Sequence, residues 1–219
     1  MPRMASALAA LLRALDIAPA LAVGHSAGAA LIAQMTLDAQ IRPRGIVSIN
    51  GVLAPPSWMA VGVMSMMAGM LAATPWSARL LARAARDPHA VSRVVAGTGS
   101  HLDAQALEWY RRLVRNPAHV DGVLAMMAGW DLRPLVASLG RLRVPCDLLV
   151  ADDDLAVPRG EADAICARLP EARVEHLQRG GHLVHETHPV DVATRILAFA
   201  ERVGVMDRDI VPEKNGGAT

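Results

Sequence analysis

Short apolar runs alternate with stretches of helical periodicity along most of this chain. The runs near 20–23, 45–50, 145–151 and 172–177 are too short for helices and are bounded by Pro, Gly or charged residues, so they predict strands. Apolar residues recurring every three or four positions near 5–15, 27–39, 160–169 and 189–203 predict helices. In the first of these, Leu8, Leu11, Leu12 and Leu15 share one face and Arg13 interrupts the apolar stretch, which reads as an amphipathic core helix and not as a signal peptide. Strand and helix alternate, the pattern of an α/β fold with a parallel sheet and helices on both faces. Between the second and third strands lies a long insertion, Pro55 to about Leu139. It has helical periodicity punctuated at Thr74-Pro75, Asp87-Pro88, Gly97-Thr98-Gly99 and Asn116-Pro117, and it predicts a helical lid. The expected organisation is thus a core made of 1–54 and 140–205, a lid at 55–139, and a polar, flexible tail at 206–219.

The chemistry enters where the first strand meets its helix. Gly24-His25-Ser26-Ala27-Gly28 stands between the apolar run Ala20-Leu21-Ala22-Val23 and the periodic stretch from Ala29 to Leu37. Gly-x-Ser-x-Gly in that setting is a nucleophile elbow, a sharp turn that exposes the serine at the carboxyl end of the sheet. Both glycines are expected to be required because a Cβ at either would collide with a neighbouring element. The helix behind Ser26 aims unpaired N–H groups and a partial positive charge at one spot, so the Ala27 N–H is the candidate oxyanion donor. A serine needs a base and an orienting acid, and in this architecture they follow in the order acid, then histidine, on loops after later strands. Val144 to Ala151 runs into Asp152-Asp153-Asp154, and Ala172 to Leu177 is followed by Gly180-Gly181-His182-Leu183-Val184-His185-Glu186.

These segments resemble the α/β-hydrolases. That family's acid commonly stands in Gly-x-x-Asp-x-x-Val-Pro. Ala151 to Pro158 matches with Ala in place of the Gly, and selects Asp154 over Asp152 and Asp153. The histidine pattern Gly-His-x-x-His-Glu, matched by Gly181 to Glu186, selects His182 over His185. The resemblance implies a triad of Ser26, Asp154 and His182. Ser48-Ile49-Asn50-Gly51, Thr98-Gly99-Ser100, Arg115 to Val120 and Met126 to Leu132 further resemble the magnesium-chelatase accessory proteins of bacteriochlorophyll synthesis, a likeness spanning roughly 2–203. It implies an apolar substrate, such as a tetrapyrrole, and chelatase subunits as partners. An α/β-hydrolase also spends four strands and a helix before its elbow, whereas one helix and one strand stand before or at Ser26 here. The amino-terminal part of the sheet is therefore expected to be missing, and with it the His-Gly type loop that supplies a second oxyanion donor.

Composition narrows the alternatives. A chain of 219 residues can bury a sizeable core, and its net charge of +1 argues against an electrostatic nucleic-acid binder. Cys146 and Cys166 read as reduced core residues, the usage of a cytoplasmic protein. The uncharged stretch Trp58 to Ala73 falls short of a bilayer span, so no transmembrane segment is expected. Asp152 to Asp154 read as a solvated loop with one functional member. His-x-x-His-Glu lacks the zinc helix spacing, so neither a metal nor a cofactor is expected. His25 reads as a structural neighbour of the elbow, and His185 with Glu186 as fixing the histidine loop by local hydrogen bonds. The insertion holds all four Trp and seven of the eleven Met. Trp58, Met66, Met67 and Trp130 are the candidates to line a cavity for a flat apolar ligand, the alternative being that they are the insertion's own core. Two functions follow: a serine hydrolase acting on an ester or related acyl bond, or a non-catalytic accessory or tetrapyrrole-binding module.

Overall fold

All of the expected apolar runs form strands: β1 (Leu21–His25), β2 (Gly45–Ile49), β3 (Cys146–Ala151) and β4 (Ala172–Leu177). In the computed structural model, which describes residues 1–55, 74, 76–84, 87 and 89–206, they pair in chain order as a parallel four-stranded sheet. The register sets Gly24 opposite Ser48, Ile49 opposite Leu149 and Ala151 opposite Leu177, so the carboxyl ends of the strands lie along one edge. Crossover helices return the chain between parallel strands. They are α2 (Ala27–Leu37) after β1, and α8 (Arg159–Cys166) after β3; the short α9 (Val184–Thr187) follows β4.

Alternation along the strands divides the core. Ala22, Ile46, Cys146, Leu148 and Val150 face α1 (Pro2–Ala14), α2 and α8, while Val47, Ile49, Leu149 and Ala151 face α10 (Pro189–Arg202) through Val192 and Phe199. β2 and β3 are buried along their whole length, as strands covered on both sides must be. Among the described residues β1 pairs with β2 alone, and Val23, on the α10 side of this outer strand, is 41% exposed.

The buried face of α1 is not the expected one. Ala5 and Ala9 are its buried residues, Leu8 and Leu12 pack partly against the core, and Leu11 and Leu15 are exposed. α2, which packs against α1, buries Ala29, Ala30 and Ala33 in the same core, so small residues on both helices allow close approach.

The insertion contributes α3 (Ser77–Ala84), α4 (Ala90–Ala96), α5 (Ala104–Val114), α6 (Pro117–Ala128) and α7 (Arg133–Ser138). Its turn signals act as caps. The Asp103 carboxylate accepts from Ala106 N at 2.8 Å, and Asn116 Oδ1 accepts from Ala118 N at 3.0 Å with Pro117 in the first turn. Leu132, Leu135 and Leu139 of the final segment join the main core. Trp58, Met66, Met67 and most of the 206–219 tail lie outside the described residues. No described helix is long and apolar enough to cross a membrane.

Candidate active site

Ser26 takes its position from backbone strain. Its φ of 51° and ψ of −120° lie outside the regions an L-residue prefers, which costs on the order of 1–3 kcal/mol and persists only because neighbours impose it. Ser26 N donates to Ile49 O at 3.0 Å, and Ser26 O accepts from Ala29 N at 3.2 Å and Val52 N at 3.1 Å. Gly24 is required as expected, since a Cβ there would stand 2.6 Å from Ala29 N. At Gly28 no such collision stands among the described residues, where a Cβ on it meets no atom within 4 Å.

Asp154 and His182 converge on that serine from the loops after β3 and β4. His182 Nε2 is 3.0 Å from Ser26 Oγ, and His182 Nδ1 is 2.8 Å from Asp154 Oδ2. The other carboxylate oxygen, Oδ1, accepts from Ala156 N at 2.7 Å and Val157 N at 2.9 Å. Asp154 has no exposed side-chain surface and His182 keeps 12% of its own, so the pair works largely out of water. With the Asp154 carboxylate accepting the Nδ1 proton, Nε2 is left as the acceptor for the serine hydroxyl proton. Ala27 is the first residue of α2, where backbone N–H groups have no partner within the helix.

Serine elbow, acid after β3 and histidine after β4, on one parallel sheet, make up an α/β-hydrolase arrangement, and residues 2–195 match the alpha/beta hydrolase family. The chain belongs to that family. It is 37% identical over 198 residues to the magnesium-chelatase 30 kDa subunit of Rhodobacter capsulatus, a match covering 90% of this chain and 69% of that protein. Solved structures with the same fold include an alpha/beta hydrolase fold protein from Burkholderia ambifaria, at a TM-score of 0.71 and 19% identity, covering 90% of this chain and 72% of that one. A thermophilic esterase from Thermogutta terrifontis has a TM-score of 0.71 and 19% identity, covering 91% of this chain and 71% of that one.

Around this family's site the structure gives tasks to residues that sequence reading left without a role. Asn50, with a φ of 43° just beyond β2, is buried and spends its whole amide. Its Nδ2 donates to Gly181 O at 3.0 Å and His182 O at 2.9 Å, and its Oδ1 accepts from Ala151 N at 2.9 Å. The signal available in the sequence was a polar residue at the carboxyl end of a buried strand, where function collects. The Asp152 to Asp154 loop is also not a solvated loop with one working member. Asp153 accepts from Gly180 N at 3.1 Å and Gly181 N at 2.8 Å, while Asp152 pairs with His176 Nδ1 at 2.9 Å. Among the described residues no group of His, Cys, Asp and Glu is arranged to hold a metal ion.

His25 is confirmed as the elbow's neighbour and is given a definite task. Its Nε2 is 2.8 Å from His182 O, so Nε2 carries a proton and donates to that carbonyl, which Asn50 also binds. The His25 ring lies 4.7 Å from the His182 ring and 4.3 Å from that of His185. Burial, and then the neighbouring histidines, lower the His25 pKa from 6.5 to about 4, and burial lowers that of His185. The Glu186 tether is not local: its carboxylate takes a hydrogen bond from the Tyr110 hydroxyl of α5. Trp130 is half-buried against the main core, whereas Trp76 and Trp109 are 62% and 55% exposed. A hollow of about 470 Å³ beside Arg44, Pro145 and Glu171 lies at the amino ends of the strands, away from Ser26 and His182.

The His25 shift makes stability depend on pH. Below 6.5 the unfolded chain binds a proton that the folded chain refuses until about 4, so stability is fully present above 6.5 and falls as the pH drops through that window. The loss assignable to His25 is up to about 3 kcal/mol. Urea unfolding between pH 7 and pH 4 should show a steeper decline for the native chain than for His25→Gln. Parallel declines would contradict the assignment.

Proposed function

We propose that this chain is a serine hydrolase acting on an ester or related acyl bond. The observation that carries the reading is the unbroken relay from Asp154 through His182 to Ser26, at 2.8 Å and 3.0 Å. Ser26 Oγ attacks the acyl carbon while its proton passes to His182 Nε2, and the imidazolium so formed is held by Asp154. The carbonyl oxygen, now an oxyanion, is received by the Ala27 N–H. Collapse of the adduct expels the leaving group with the proton from His182, and water repeats the sequence to free Ser26.

The likeness to a magnesium-chelatase 30 kDa subunit supports the biological context we propose, a step linked to magnesium chelation in bacteriochlorophyll biosynthesis in the cytoplasm, with chelatase subunits as partners. Trp58, Met66, Met67 and Trp130 are the side chains proposed to contact an apolar substrate, with a tetrapyrrole as the leading class. That same likeness favours the second reading, an accessory module that binds a tetrapyrrole and turns nothing over.

A panel of p-nitrophenyl esters of increasing acyl length, followed by release of nitrophenol and by mass spectrometry of the protein, separates the two. A hydrolase should give turnover and an acyl adduct on Ser26. Saturable quenching of tryptophan emission by a porphyrin, with no adduct from any ester, would establish the accessory module and reject the hydrolase.

A further inference from the structure

The loops that carry Asp154 and His182 come together on the insertion. Between α4 and α5 the chain passes through Thr98-Gly99-Ser100, and this segment is wedged between them. Thr98 O accepts from Leu155 N at 3.3 Å on the acid loop and from His182 N at 3.1 Å on the histidine loop. Ser100 Oγ accepts from Leu183 N at 2.8 Å and donates to Gly180 O at 3.3 Å, closing a ring around His182 from both sides. The backbones touch directly. A Cβ on Gly99 would stand 2.2 Å from Asp153 O, and one on Gly181 2.3 Å from the Gly99 carbonyl carbon, with φ of 82° and 64° at the two glycines. Apolar contact reinforces the junction, since the Leu183 side chain packs with Val91 and Val95 of α4.

We propose that Ser100 is a positioning residue for His182, and that the insertion holds the catalytic histidine against the serine and the acid. Ser100 is 1% exposed, so its hydroxyl has no water to exchange with. Without that oxygen, Leu183 N–H is left buried and unpaired beside His182, Gly180 C=O keeps only the Thr187 hydroxyl, at 2.9 Å, and the loop relaxes to recover a partner. The proposal deepens the hydrolase reading and draws its meaning for turnover from it. Its structural content does not require turnover: the insertion and the histidine loop open and close together.

The test uses the full chain and two readouts independent of activity. One is amide hydrogen exchange at His182 and Leu183. The other is the downfield proton resonance of His182 Nδ1–H bound to Asp154, assigned by its absence from His182→Gln. Ser100→Ala should speed exchange at both amides about tenfold or more and broaden or shift that resonance, while the Asp152 amide, bonded to Leu177 O at the sheet end, stays as it was. Ser92→Ala, which removes an exposed hydroxyl of the same insertion, should change neither. Val95→Ala loosens the insertion without touching the serine and should move both readouts in the same direction, so it decides the matter if Ser100→Ala fails to fold. Exchange and resonance unaltered in Ser100→Ala, or in Val95→Ala where that variant decides, would overturn the proposal. Failure of native protein to acylate Ser26 would instead reject the hydrolase reading and leave these two readouts to judge Ser100.

Discussion

Ser26→Ala should abolish covalent labelling by a fluorophosphonate, and native protein should carry one adduct, on Ser26. The expectation rests on the contrast between this partly exposed serine and two fully buried ones. Ser26 Oγ stands 3.0 Å from His182 Nε2, whereas Ser48 and Ser100 are 3% and 1% exposed, and Ser100 already spends its hydroxyl on backbone partners. A hydroxyl without a neighbouring base is a weak nucleophile, and one out of reach of solvent cannot meet the reagent. Mass spectrometry of tryptic peptides decides the outcome. An adduct on Ser48 or Ser100, or undiminished labelling in Ser26→Ala, would remove Ser26 from its role.

Asp154→Asn should lower acyl turnover about 10⁴-fold, the scale on which triads suffer when the histidine is held in the wrong tautomer. The geometry fixes which way the new amide turns. Oδ1 of Asp154 is bound by Ala156 N and Val157 N, so an asparagine keeps its oxygen there and directs its NH2 at His182 Nδ1. That nitrogen must then accept, the proton moves to Nε2, and the serine loses its base. Asp152→Asn disturbs surface pairings with His176 and Arg159 and should leave turnover within about twofold. Asp153→Asn falls between: one of the Gly180 and Gly181 N–H groups would face an amide NH2, costing about 1–3 kcal/mol of stability in the histidine loop. Steady-state kinetics beside thermal unfolding would separate these variants. Equal losses in Asp152→Asn and Asp154→Asn would refute the choice of acid.

What the sequence made legible follows from the range of the forces involved. The strands, the crossover helices and the elbow are written in local periodicity and in the backbone demands of Gly24, and both survive folding intact. Side-chain partners of a stated chemical type were also readable, as the Ser26, Asp154 and His182 set illustrates. Asn50, Asp153 and Ser100 escaped because their partners are backbone N–H and C=O groups far along the chain, and every residue offers those alike. The face of α1 was misread for a different reason. Periodicity weighs Leu11 and Leu15 by hydrophobic size, while the interface with α2 selects Ala5 and Ala9 for how little room they occupy. Gly28 shows the same limit, since a motif position prescribes a small residue without showing whether anything stands beside it.

The outer position of β1 gives Ser26 a different mechanical status from Asp154. Asp154 follows an interior strand held on both sides, whereas Ser26 follows a strand fastened along one side, among the described residues, by β2. Fluctuations of the sheet are therefore unevenly shared, with Ser26 and His182 after outer strands and Asp154 after an interior, stiffer one. A strand added along the free side of β1, from any source, would damp the serine's motion without touching the acid or the histidine. Reactivity could then be tuned from a flank of the molecule that holds none of the chemistry.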